Sequence, residues 1–163
     1  MPEFLTLRPP DASLELLLDS FVTPQRFETI ASLDALDRVL AEPIRSNENL
    51  PAFPRSTVDG FAVRARDTFG ASENLPAYLN LIGEVSMGES ADISLKENSC
   101  ALIHTGGMIP ANADAVVMVE NTQQTGKEEI EILKAVAPGE NVIEVGEDVE
   151  VGSQVIPAGV RVR

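Results

Sequence analysis

The stretch Leu50-Pro51-Ala52-Phe53-Pro54-Arg55-Ser56-Thr57-Val58-Asp59-Gly60-Phe61-Ala62-Val63-Arg64 sets a carboxylate and a hydroxyl between two arginines, on a turn that opens into an apolar strand. Asp59-Gly60 is a turn dipeptide: the Asp side chain accepts from nearby backbone N–H groups, and Gly tolerates positive φ. Phe61-Ala62-Val63 supplies the strand that fixes where Asp59 points. Read alone, an Asp-Gly pair is first of all a hairpin corner. Its surroundings are unusual in charge. Residues 45–66 hold Arg45, Arg55, Arg64 and Arg66 against Glu48 and Asp59, a local +2 in a chain of net charge −14. Arginine forks onto phosphate or oxyanion oxygens, so Arg55, Ser56 and Asp59 suit a charged ligand; the plainer alternative is a solvated strand face.

Two later segments belong beside this one. Ile103-His104-Thr105-Gly106-Gly107-Met108-Ile109-Pro110, followed by Ala113-Asp114-Ala115-Val116-Val117-Met118, reads as a strand, a glycine loop closed by proline, and a second strand. Gly106-Gly107 would let the backbone approach an oxyanion and offer it N–H groups, with the Thr105 hydroxyl as one more donor. A tight connection between strands is the structural alternative. Further on, Pro138-Gly139-Glu140-Asn141-Val142 leads into Gly146-Glu147-Asp148, which presents another carboxylate on a turn. His104, the sole histidine, has no acid and nucleophile spaced for a triad and reads as structural or surface.

The rest of the chain divides by periodicity. Pro9-Pro10-Asp11 reads as an entry turn with an N-cap, followed by Leu14, Leu17, Leu18 and Phe21 at helical spacing, with Pro24 marking the end. A second helix is expected from Ser32 to just before Pro43, with Leu33, Leu36, Val39 and Leu40 as its stripe and Asp34 in its first turn. Beyond about residue 60 the period changes to two: Leu79, Leu81 and Val85 alternate with Asn80 and Glu84, and Ile130 and Ile132 with Glu129 and Glu131. Frequent Gly and Pro predict short strands in a bent or coiled sheet. Val155-Ile156-Pro157-Ala158-Gly159-Val160-Arg161-Val162-Arg163 reads as a hairpin whose second strand ends the sequence, a pattern expected of a larger protein cut at a domain boundary. The fold class expected is mainly β with N-terminal helices (α+β). Two short helices beside a β-rich remainder leave an apolar stripe that a second chain could cover, so a homodimer is expected.

Composition excludes several functions. With 163 residues, 44% of them hydrophobic and 23% charged, the chain suits one or two globular domains with a real core. The excess of 26 acids over 12 bases repels nucleic acid and anionic membranes, and 4% aromatic content with no Trp leaves no stacking platform for bases. Cys100 has no intramolecular disulfide partner and sits in an apolar run, as a small buried residue would. No basic leader and no apolar run long enough to span a bilayer is present, so a cytoplasmic location is expected. Phosphate-binding P-loops, dinucleotide fingerprints, H-E-x-x-H and cysteine clusters are all missing.

Taken in order, the Ser-x-x-Asp-Gly turn, the Thr-Gly-Gly loop and the Gly-Glu-Asp turn resemble the N-terminal half of the MoeA family, the molybdopterin molybdotransferases that include the gephyrin E domain. The resemblance runs from about residue 12 onward. It implies complex coiled or bifurcated sheets in two connected parts: an elongated helix and strand piece from residues 1–45 and 140–163, expected to dimerise, and an inserted β-rich piece from 46–139. In that family a MogA-like domain and a small β domain follow. The implied reaction inserts molybdate into adenylated molybdopterin with Mg²⁺ and releases AMP, so this segment alone is expected to be inactive. The resemblance assigns catalytic roles to Asp59, Thr105 and Asp148, Mg²⁺ binding to Asp59 and Asp148, and substrate contacts to Arg55, Ser56, Gly106 and Gly107. Mg²⁺ is typically held by one or two carboxylates plus substrate phosphates, which would explain acids beside an anionic substrate. Relatives usually carry Met where Val58 stands and Tyr where Phe61 stands. Many also carry arginine within the stretch here occupied by Val142-Ile143-Glu144-Val145. Two other readings stand beside it: a non-catalytic assembly scaffold, and a free-standing oxyanion-binding module.

Overall fold

The computed structural model describes residues 8–21 and 24–163. They form one α-helix, α1 (Pro10–Ser20), and ten strands: β1 (Ile44–Arg45), β2 (Arg55–Ser56), β3 (Gly60–Val63), β4 (Ala77–Val85), β5 (Ser99–Ile103), β6 (Ala115–Met118), β7 (Thr122–Gln124), β8 (Glu129–Ile132), β9 (Val142–Ile143) and β10 (Gln154–Ile156). The fold is therefore mainly β, as the periodicity predicts. Two compact units divide it: the residues up to Glu42 with Ala158–Arg163, and Pro43–Pro157. Residues 140–157, grouped by the resemblance with the elongated piece, make their strand pairings inside the second unit.

In the first unit, α1 begins with Pro10 at its first position, where a missing N–H costs nothing, and Asp11 lies in the first turn instead of capping it. Leu14, Leu17, Leu18 and Phe21 all remain exposed. The second expected helix is reduced to one 3₁₀ turn, Ser32–Asp34. Its continuation is lost because Asp37 adopts φ 63° and Arg38 and Leu40 then pair with the end of the chain: Leu40 donates to the Val160 carbonyl, and Val162 donates to that of Arg38. Asp is among the few residues that tolerate this left-handed geometry. The expected closing hairpin is absent for the same reason, since Val160 and Val162 bond to residues 38–40 and not back to β10. A groove of about 380 Å³ in this unit is lined by Arg26, Phe27, Val39, Leu40 and their neighbours.

The second unit is built on a six-stranded sheet in the order β6-β3-β5-β4-β8-β7. β4 and β5 run parallel; every other neighbouring pair is antiparallel. Two short antiparallel pairs, β1 with β10 and β2 with β9, complete it. Strand β3 is buried along its whole length, consistent with its unbroken apolar sequence. One face packs Val63, Leu79, Cys100, Val117, Ile130 and Ile132; the other packs Ala62, Val85, Ile103 and Val116. Each of the larger of these contributes roughly 1.5–3 kcal/mol by leaving water. The outer margin of β6 is covered by the 139–141 turn: Val116 donates to the Glu140 carbonyl, and the Asn141 side chain donates to the Val116 carbonyl at 2.8 Å. No helix among the described residues is long and apolar enough to cross a membrane.

Candidate functional site

Strand β3 has Asp59 directly before it, and β5, its antiparallel neighbour, ends at Ile103 with His104-Thr105 following; the register Gly60↔Ile103 brings the two ends together. Asp59 Oδ1 accepts from the Thr105 backbone N–H at 2.8 Å and from the Thr105 hydroxyl at 3.1 Å. These two bonds, the backbone one foremost, hold the Asp59 carboxyl below the usual aspartate value; slight desolvation opposes them, and the charge of His104 adds a smaller lowering. Both donors reach the same oxygen. Oδ2 takes no hydrogen bond from the described residues, and the side chain is 66% exposed, so a carboxylate tethered through Oδ1 presents its other oxygen outward.

Gly60 is required for a reason other than the expected positive φ. A Cβ there would lie 2.0 Å from the Val117 carbonyl oxygen, so the glycine permits β6 to close on β3 directly beside Asp59. Left-handed backbone appears instead at Gly106, φ 83°.

The glycine loop differs from the expected oxyanion cradle. Gly106 N–H donates to the Ser56 carbonyl at 2.8 Å, Gly107 N–H to that of His104 at 2.8 Å, and Thr105 N–H to Asp59. The loop folds onto the 54–56 segment and consumes these amides, because a turn so close to a strand must satisfy its own donors. Ser56 is likewise committed: its buried hydroxyl donates to the Val58 carbonyl at 2.6 Å and accepts from Val58 N–H at 3.2 Å. Gly106, Gly107 and Ser56 thus build the turn that carries Asp59 and Thr105.

Arg55 and Asp148 meet at 3.4 Å, both substantially exposed. Arg55 sits on β2 opposite Ile143 of β9, so the positive charge missing from residues 142–145 reaches Asp148 from across the strand pair. No hydrogen bond or ion pair joins Asp148 to Asp59, and no group of three or more His, Cys, Asp and Glu side chains among the described residues is arranged to hold a metal ion. Sequence reasoning also missed Glu84, whose Oε1 lies 3.0 Å from His104 Nε2. Only the parallel register of β4 and β5 brings these residues together. Cys100 is buried, and burial pushes its thiol up to about 12.

The family description "MoeA N-terminal region (domain I and II)" matches residues 8–163. The molybdopterin molybdenumtransferase of Bacillus subtilis (strain 168) is 40% identical over 138 residues, covering 83% of this chain and 32% of that protein. The Synechococcus elongatus protein of the same name is 33% identical over 153 residues, covering 92% of this chain and 38% of its own length. A crystal structure of the molybdopterin biosynthesis moeA protein from Pyrococcus horikoshii OT3 superposes with TM-score 0.89 at 38% identity, covering 97% of this chain and 41% of the other. The chain spans about a third of the curated relatives' length.

Proposed function

The chain belongs to the MoeA N-terminal region family, and from that premise we propose that it forms the N-terminal part of a molybdopterin molybdenumtransferase acting in molybdenum cofactor biosynthesis. The reaction proposed is insertion of molybdate into adenylated molybdopterin with release of AMP. The observation that carries this reading is the Asp59 carboxylate, pinned through Oδ1 by Thr105 and open at Oδ2. A carboxylate tethered through one oxygen without being buried is prepared to meet a cation or a polar substrate group with little reorganisation.

Mg²⁺ would take the Asp59 carboxylate as one ligand, with most of its other positions going to water and substrate oxygens. When bound, it would neutralise substrate phosphate and oxyanion charge. Asp148 is the second carboxylate proposed for it, and Arg55 holds that group in the meantime through a pair exposed enough to part at little cost. Arg55 would then turn its guanidinium to the anionic substrate. Thr105 serves by orienting Asp59, and its loop glycines serve by holding Thr105.

The test is a chimera in which this chain replaces the matching segment of the Bacillus subtilis relative. Asp59→Asn should leave folding and oligomeric state intact and lower molybdenum cofactor formation by roughly 100-fold or more, the scale for losing a group that stabilises developing charge. Unchanged formation would refute the role. The exposed stripe Leu14, Leu17, Leu18 and Phe21 favours a homodimer through the first unit. A monomeric sedimentation profile at micromolar concentration would refute that part.

A further inference from the structure

Three side chains from three strand ends lie side by side. Glu84 stands near the end of β4, His104 directly after β5, and Asp59 directly before β3. His104 Nε2 is 3.0 Å from Glu84 Oε1, and His104 Nδ1 is 3.9 Å from Asp59 Oδ1. The first is a hydrogen bond and the second an ion-pair distance. An ionised carboxylate only accepts, so the Glu84 contact requires a proton on Nε2; the same ring orientation faces Nδ1 toward Asp59, a contact that attracts when the imidazole carries both protons. None of the three is buried: Glu84 and His104 retain 55% and 38% of their side-chain exposure. Full burial therefore does not lock the ring, and its polar contacts bear on its orientation.

We propose that His104 is a positioning residue for Asp59, with Glu84 as its anchor. Thr105 supplies two donors to Asp59, but both meet one oxygen from one residue, which leaves the carboxylate able to pivot about that oxygen. The imidazole stands against the same oxygen, and Glu84 fixes the ring from the far side. The line Glu84–His104–Asp59, a hydrogen bond followed by a 3.9 Å charge contact, would link the β4 end of the parallel pair to the turn before β3 and bias which carboxylate oxygen faces outward. The proposal rests on Asp59 being the working carboxylate, but its readouts need no turnover. A failed Asp59→Asn turnover test would leave the positioning intact.

His104 is the only histidine, so its imidazole gives a single set of ¹⁵N resonances in the whole chain. The experiment is a long-range ¹H–¹⁵N correlation spectrum of the intact chain at one fixed pH. It is joined by three-bond couplings reporting the Asp59 χ1 angle, the Thr105 amide proton shift and a melting curve. The wild type should show a protonated Nε2, one Asp59 rotamer and a downfield Thr105 amide. Glu84→Ala should lose the Nε2–H preference, and both Glu84→Ala and His104→Ala should convert the Asp59 couplings to rotamer averages, with melting unchanged. Glu84→Gln keeps an acceptor for Nε2–H and should restore the wild-type pattern. Wild-type couplings and Thr105 shift in His104→Ala would overturn the proposal. So would a Glu84→Gln chain that behaves like Glu84→Ala.

Discussion

Gly60→Ala is the substitution for which the structure yields the sharpest magnitude. The added methyl would sit 2.0 Å from the Val117 carbonyl oxygen and 2.9 Å from its carbon, both backbone atoms of the neighbouring strand. No rotamer relieves that, so β6 must retreat from β3 by about 1.4 Å or more to reach ordinary contact. Overpacking of this kind costs about 1–3 kcal/mol, and weakened ladder bonds around Gly60↔Met118 and Phe61↔Val117 add about 1 kcal/mol each. The expected loss is about 3–5 kcal/mol, or roughly 10 °C in Tm for a chain of this size. Gly106→Ala is the control: φ is 83° but nothing lies within 4 Å, so only the left-handed penalty of about 1–2 kcal/mol applies. A narrower unfolded ensemble offsets part of it. Tyr78 is the only tyrosine, there is no Trp, and Tyr78 lies on β4, so intrinsic fluorescence during urea unfolding follows the sheet itself. A Gly60→Ala chain within about 0.5 kcal/mol of wild type, or more stable than Gly106→Ala, would refute the close-approach argument.

Other expectations follow from the site and its frame. Asp59 has a lowered native pKa, so its contribution to stability is complete above the unfolded aspartate value and disappears as pH falls through the lower native one. Thr105→Val removes the hydroxyl donor and should raise that pKa, read from the Asp59 side-chain carbonyl ¹³C shift; an unchanged titration would contradict the hydrogen-bond assignment. Cys100, buried with its thiol pushed up to about 12, should not react with a disulfide reagent near neutral pH until the chain is unfolded. Labelling of the native chain at the rate of a free thiol would show that β5 opens. Arg55→Ala removes an exposed pair at 3.4 Å and should change stability by less than about 1 kcal/mol in the same urea assay. A larger loss would mean that the pair is structural.

The strands of the sheet were legible because Leu79, Val85, Ile130 and Ile132 alternate with polar neighbours, and all four are buried. The second helix was misread because its apolar spacing is real, yet residues 38–40 find strand partners at 160–162, a pairing that local pattern cannot display. Asp59 and Thr105 were picked out by turn and loop chemistry, and antiparallel pairing of β3 with β5 brings them into contact. The loop amides were assigned to a ligand because the Ser56 carbonyl that takes Gly106 N–H lies fifty residues earlier. Glu84 carried no signal of its own: an exposed acid at the end of an alternating strand looks like any solvated position until the parallel register of β4 and β5 is known.

The covered flank of β6 has a bearing on how the protein behaves in company. Unpaired amides along a terminal strand recruit further strands, from misfolded copies above all. Here Glu140 and Asn141 occupy that flank, while the opposite terminus, β7, runs only from Thr122 to Gln124. A visiting backbone would therefore find one border already sealed and the other too brief and too polar to template growth, so this sheet should resist seeding fibrils even when the chain is concentrated.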